Sequence, residues 1–261
     1  VGGVRAISAD GRDLEVRGRI VVGADGARSE VAKAVRAPVI RRGATASAFL
    51  YRYYADFPVA GYEWAYGRGA AAGMIPTNDG LTCVFVATTP ERMRLLRRDG
   101  SETAFRTLLD LAAPEHGWRA VGATVAGPLH GWAGLPGFVR RSWGPGWALV
   151  GDAGYFKDPI STHGMTDALR DAELLAGALL DGWSGEVDQA VSLASYQAKR
   201  DSLSTGLLEA TERIAAYDWT LPTIQRLLRQ VSSAMTDELE MLQALPVRQS
   251  LSRAPVFHSP P

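Results

Sequence analysis

The sequence predicts an α/β fold: one layer assembled from two separated segments, an antiparallel sheet inserted between them, and helices at the C-terminus. Three observations carry this expectation. Arg19-Ile-Val-Val-Gly-Ala24 and Trp147-Ala-Leu-Val150 are apolar runs that each end in an acidic turn. Residues 45–88 are rich in Tyr, Phe, Val and Trp, broken by Gly and Pro, and apolar or small residues recur every three or four positions after Gly164. Such runs suit covered strands, an antiparallel sheet and a helix, respectively.

Val1 to Ser8 and Leu14 to Val16, joined by Asp10-Gly11, read as a β-hairpin, so the chain is expected to begin in mid-sheet. The Arg19–Ala24 run reads as a strand covered on both faces, Asp25 to Ser29 as its turn, and Ser29 as the cap of a short helix that Pro38 stops. After the aromatic strands, Thr89-Pro-Glu91 is a helix start, and two helices are expected to fill Pro90 to Ala112. Val121 to Gly127 reads as a returning strand and Gly131 to Gly146 as a loop. Met165, Ala168, Leu169, Ala172, Leu175, Ala176 and Leu179 then form one stripe, expected to be buried. Two further helix segments are expected around Thr220 and Met235, and a frayed tail over Ala254 to Pro261. The expected boundaries are 1–43 for the first layer segment, 44–130 for the inserted sheet, 131–183 for the second segment and 184–261 for the helical region.

Composition narrows the partners. In 261 residues, 28 Lys plus Arg balance 28 Asp plus Glu without a dense basic run, which favours a small molecule over nucleic acid or an anionic membrane. The single cysteine, Cys83, excludes an intrachain disulfide and a thiolate cluster and points to the cytoplasm. No segment has the roughly 20 apolar residues of a membrane span, and no signal peptide is evident.

The chemistry gathers at Gly151-Asp152. A carboxylate at a strand end can accept hydrogen bonds from sugar or ribityl hydroxyls, and a helix starting near Gly164 would aim free N–H groups into the same crevice. Asp167 and Asp171, one helical turn apart, read as a solvated face rather than a metal pair. Ser161 and His163 lack the Gly-x-Ser-x-Gly elbow of a hydrolase. Gly67-Arg-Gly-Ala-Ala-Ala-Gly73 leads into Met-Ile-Pro76 and not into a helix, so it does not form a phosphate loop.

Val21-Val-Gly-Ala-Asp-Gly-Ala-Arg-Ser29, followed by the Gly151-Asp152 segment, resembles the Asp-Gly and Gly-Asp motifs of the FAD-dependent monooxygenases of the aromatic hydroxylase type. The resemblance implies a split FAD-binding Rossmann-like domain carrying an inserted substrate sheet. It implies that Asp152 and Gly151 bind the ribityl chain, that Pro159, Gly164 and Met165 line the pyrimidine side of the flavin, and that Asp25 and Gly26 support FAD. Tyr51, Tyr53, Trp64, Tyr66, Met74, Pro76 and Phe85 of the inserted sheet are the expected substrate surface, and His163 is a candidate to meet flavin or substrate. The implied activity is hydroxylation of an apolar or aromatic substrate with NAD(P)H and O2, oxygen being activated at the flavin C4a position.

Tyr155, Asp158-Pro159 and Thr162 depart from the hydroxylase pattern, Thr162 standing where the family has glycine. Asp158-Pro159 is similar to the loops of flavin-dependent halogenases and geranylgeranyl reductases, so halogenation and double-bond reduction stay open, as does a non-catalytic binding fragment. Nothing in Val1 to Ile20 matches the Gly-x-Gly-x-x-Gly start that binds the ADP part of FAD, and the chain is expected to be the later part of a longer protein.

Overall fold

The computed structural model describes residues 1–245, the side chains of Trp118 and Val121 excepted. It opens on a hairpin of β1 (Gly3–Ile7) and β2 (Asp13–Arg17), whose turn is closed by the Ser8 N–H donating to the Arg12 carbonyl at 2.8 Å. Among the described residues the hairpin is a two-stranded sheet by itself and β2 is exposed along its length, with no described layer over Leu14 and Val16. β3 (Val21–Gly23) follows, then α1 (Glu30–Ala34), capped by the Ser29 hydroxyl accepting the Ala32 N–H at 2.9 Å, and β4 (Val39–Arg42).

The inserted sheet comprises β5 (Ala48–Ala55), β6 (Glu63–Gly67), β7 (Ala70–Pro76) and β8 (Thr82–Thr88). α2 (Pro90–Leu96), α3 (Ser101–Ala112) and α4 (Pro114–Gly122) cross over to β9 (Thr124–Val125) and β10 (His130–Trp132), and the strand order is β10-β5-β8-β7-β6 with β9 also on β5. Strand alternation splits the residues between two faces. Ala48, Leu50, Tyr54, Ala72, Met74, Val84 and Val86 pack with Phe105, Leu108 and Leu109 of α3, the Leu, Met, Val and Phe side chains each contributing about 1.5–3 kcal/mol on burial. Phe49, Tyr51, Trp64, Tyr66, Ile75 and Phe85 lie on the other face. Gly67 belongs to this packing: a Cβ there would lie 1.9 Å from the Leu111 carbonyl oxygen, so the glycine-rich segment serves the seating of α3 on the sheet.

β11 (Phe138–Arg140), β12 (Trp143–Gly144) and β13 (Trp147–Leu149) return the chain to the first layer. Gly131 to Gly146 is thus corrected from a loop to three short strands with β10, each of two or three residues and too short to show a period. Similarly, α4 runs to Gly122 and only Thr124 and Val125 pair in the expected returning strand. β13 lies parallel to β3, pairing Trp147 with Val21 and Leu149 with Gly23. The acidic turns that follow the two strands are therefore neighbours. Val22 is 40% exposed, so β3 is covered on one face only.

β14 (Tyr155–Phe156) joins β11 and β4, and three helices follow: α5 (Gly164–Ser184), α6 (Gln189–Ile214) and α7 (Leu221–Gln243). α5 stops at Gly185 in the left-handed region, and Asp188 caps α6 by accepting the Ala190 and Val191 N–H groups. The two segments expected around Thr220 and Met235 are one helix. The expected tail 254–261 lies outside the described residues.

Candidate functional site

Where β13 ends, the chain turns at Gly151 and sets one wall of a cavity of about 1020 Å³. Gly151 has φ +53, and a Cβ on it would lie 2.9 Å from the Ala168 Cβ, so strand end and α5 can approach this closely only with glycine there. Val150, Gly151 and Asp152 form this wall, Gly164, Met165, Ala168 and Leu169 of α5 the second, and Tyr62, Trp64 and Ile75 of the sheet the third. Phe156 to Pro159 floor it, and Ala24 and Gly26 reach its rim.

Asp152 is half-buried and its carboxylate makes no hydrogen bond among the described residues. Burial, partly offset by Lys157 and reinforced by Asp171, raises its pKa above the ordinary carboxyl value. Across from it, no side chain caps the start of α5, and a Cβ on Gly164 would lie 3.9 Å from Asp152 Oδ1. An acceptor lacking donors and a helix start lacking acceptors thus face one cavity. Met165 (83% exposed) and Leu169 (74%) point into this space, which corrects the expected buried stripe: its first half lines the cavity, and only Leu175 and Leu179 of its large side chains are core.

The loop before α5 is held by Asp158, 3% exposed, whose Oδ1 accepts the Ile160 N–H at 3.0 Å and whose Oδ2 accepts the Ser47 N–H from the inserted sheet. Burial pushes its pKa up to about 6 against these hydrogen bonds. Thr162 sits at φ 51, ψ 20, the left-handed conformation that glycine favours, so the departure at this position leaves the glycine-type backbone in place.

Behind α5 lies a buried ionic network that sequence reasoning missed. Asp167 and Asp171 are 2% and 0% exposed, not a solvated face. Arg170 makes five hydrogen bonds, to Asp167, Asp171 twice, Ser204 and Glu238, and Lys157 contacts Asp167. Asp171 Oδ2 also accepts the Gly151 N–H at 3.1 Å, fixing the turn that carries Asp152. Burial, then the Arg170 charge, draws the pKa of the Lys157 ammonium down to about 7 against the opposing Glu238, Asp152 and Asp171 carboxylates. Polar groups of His163, Asp167 and Glu238 lie within 4.8 Å of one another, but Lys157 and Arg170 already pair with the two carboxylates.

The remaining expected residues fall as follows. Asp25 stands beside the rim and caps α1, accepting the Glu30 N–H at 2.7 Å and the Val31 N–H at 3.2 Å. Against a desolvation penalty, the hydrogen bonds of Ser29 and these amides hold its carboxyl below the ordinary value. His163 is turned to Glu238 and does not border the cavity. Of the expected substrate surface, Trp64 borders the cavity, with Ile75 and Tyr62 in addition. Tyr51, Tyr66 and Phe85 share its face but lie in a cluster with Ile224, Leu227 and Leu228 of α7, which covers them, and Tyr53 sits edge-on to Tyr51. Met74 is a correction: it is 0% exposed on the opposite face, where alternation turns it toward α3. Pro76, at the end of β7, does not border the cavity either.

The family described as FAD binding domain matches residues 1–211. The chain belongs to this FAD-binding family. It is 31% identical over 194 residues to the uncharacterized protein Rv1260 of Mycobacterium tuberculosis, a match covering 69% of the chain and 49% of that protein, so the chain spans about half the length of the curated relatives it matches. PqsL of Pseudomonas aeruginosa, solved in complex with 2-aminobenzoylacetate, superposes with TM-score 0.67 at 25% identity over 86% of the chain and 62% of PqsL. The same protein is described elsewhere as a probable FAD-dependent monooxygenase. The flavin-dependent brominase Bmp2 shares the fold, with TM-score 0.71 at 19% identity over 92% of the chain and 60% of Bmp2.

The residues present fit the ribityl and ring end of FAD. Asp152 offers an unpartnered carboxylate to hydroxyls, the open start of α5 offers N–H groups to an anionic ring edge, and Ala168 and Leu169 offer apolar contact. Among the described residues, no Gly-x-Gly-x-x-Gly turn joins a strand to a helix for the ADP end. No described helix is long and apolar enough to cross a membrane.

Proposed function

We propose that this chain forms the flavin-ring and substrate portion of an FAD-dependent monooxygenase that hydroxylates an apolar or aromatic small molecule with NAD(P)H and O2, in the cytoplasm. The observation that carries the reading is the cavity itself: the open start of α5 and the unpartnered Asp152 on one side, the Trp64 and Ile75 wall of the inserted sheet on the other. On this reading, residues 1–43 and 131–183 form the split cofactor layer, 44–130 the substrate sheet and 184–261 the last region, whose described helices, up to residue 245, back both.

Bound FAD supplies the redox and oxygen chemistry. Asp152 would orient the cofactor by accepting hydrogen bonds from ribityl hydroxyls, and Gly151 would let the backbone come close to it. The uncapped first-turn N–H groups of α5 would stabilise negative charge on the ring edge without reorganisation. Trp64, Ile75 and Phe156 exclude water, which strengthens those interactions. Asp25, by capping α1, would keep the neighbouring strand end in place, with Gly26 at the cavity rim.

The test uses the full-length protein. It is expected to retain yellow flavin on purification, to oxidise NAD(P)H faster when an aromatic substrate is added, and to transfer an oxygen atom from labelled O2 into product. A purified full-length protein that takes up no flavin ends this reading. Halogenated product formed only when halide is present reassigns the reaction while keeping the cofactor site.

A further inference from the structure

α7 meets both sides of the cavity's frame by different chemistry. Its N-terminal half is seated on the inserted sheet, where Ile224, Leu227 and Leu228 join Phe49, Phe85 and Trp64 in one apolar cluster. In its C-terminal half the one fully buried residue is a carboxylate, Glu238, at 3% exposure. Glu238 Oε1 accepts from Arg170 Nη1 at 2.7 Å, and Oε2 accepts from His163 Nε2. His163 is the residue on which α5 begins, and Gly164 and Met165, the next two, border the cavity.

A buried carboxylate is an expensive way to hold a helix, since an apolar side chain of similar volume does so at least as well. Its geometry instead fits orientation. Arg170 binds Glu238, Asp167 and Asp171 together, and Asp171 in turn holds the Gly151 N–H, so one connected set of hydrogen bonds runs from α7 to both polar sides of the cavity. Burial opposes ionisation of Glu238, but the His163 hydrogen bond and the Arg170 charge outweigh it and hold the carboxyl below its ordinary pKa.

Building on the FAD site proposed above, we infer that Glu238 is a positioning residue: through His163 and Arg170 it fixes the first turn of α5 and the aim of its N–H groups. Glu238 thereby acts on the flavin through the start of α5 and not through the apolar seat of α7, and it does not itself border the cavity.

The experiment measures the FAD dissociation constant by fluorescence quenching and the midpoint potential of bound flavin by dye equilibration in the full-length protein. Three variants are compared with wild type: Glu238→Gln, Leu227→Ala and the exposed neighbour Asp237→Asn. A helix-end effect of about 1.4 kcal/mol is a tenfold loss of preference for reduced over oxidised flavin. Glu238→Gln is therefore expected to lower the potential by about 30 mV for the two-electron couple. Leu227→Ala is expected to lower the unfolding temperature without moving the potential, and Asp237→Asn to change neither. A Glu238→Gln protein with wild-type potential overturns the inference, and so does Leu227→Ala shifting the potential equally, which would make the effect general loosening. Should Glu238→Gln fail to fold, His163→Gln removes the same pair from the other side and must show the same fall. A wild type that binds no flavin overturns both this inference and the proposed function; one that binds it, with Glu238→Gln indistinguishable, overturns this inference alone.

Discussion

Replacing Asp152 by alanine is expected to separate cofactor binding from folding. The Asp152 carboxylate is half-buried without a hydrogen bond among the described residues, and burial already raises its pKa, so the empty protein gains nothing from ionising it. A hydrogen bond from a ribityl hydroxyl to this carboxylate contributes about 1.5–3 kcal/mol. Asp152→Ala therefore weakens FAD binding roughly 10- to 150-fold while unfolding in urea shifts by less than about 0.5 kcal/mol. Asp171→Ala behaves in the reverse order: it removes a fully buried partner of Arg170 and of the Gly151 N–H, and costs about 3–5 kcal/mol of stability. Fluorescence titration with FAD and urea denaturation of the full-length protein read the two effects. An Asp152→Ala dissociation constant within twofold of wild type would refute the reasoning, as would a large loss of stability in the same variant.

Gly151→Ala places a methyl 2.9 Å from the Ala168 Cβ at φ +53, so it is expected to cost about 1–3 kcal/mol and to lower FAD affinity, read by thermal unfolding with and without FAD. Thr162→Gly relieves a left-handed residue but loosens the unfolded chain, so urea unfolding is expected to show between no change and about 1 kcal/mol of stabilisation; a clear loss would mean that the hydroxyl is essential. Burial raises the folded-state pKa of Asp158 to about 6 from the 3.8 of an ordinary Asp, so the folded state binds more protons between these pH values and stability falls as pH rises through that window, then levels above it. The fall is of the order of 2–3 kcal/mol, and the difference between wild type and Asp158→Asn in urea unfolding at pH 4.5 and 7 isolates it. Equal slopes for both proteins would contradict the assignment.

Long apolar runs, caps and turn residues made much of this fold legible. Ser29, Thr89 and Gly185 mark helix ends by local hydrogen bonding or backbone conformation, and the aromatic alternation of 48–88 marks an antiparallel sheet. Strands of two or three residues such as β11 and β12 carry no period, and they form because flanking strands accept them. Asp152, Gly151, Gly164 and Met165 come together because two strand ends and one helix start converge, an arrangement that motif order suggests. Sequence spacing misread Asp167, Asp171, Met165 and Leu169, because helical periodicity identifies faces but not which face meets solvent. Here a charged face is buried and an apolar one lies open on the cavity. Glu238 and the cover that α7 places over Tyr51, Tyr66 and Phe85 depend on contacts far apart in the chain, which periodicity does not encode.

On the proposed function, the start of α5 and the Gly151-Asp152 turn hold the flavin. Amide hydrogen exchange of the full-length protein with and without FAD tests it most directly. Protection on binding is expected at 151–153 and 164–166, with little change in β1 and β2. Tight FAD binding that leaves 151–153 and 164–166 exchanging at the rate of the empty protein would contradict it.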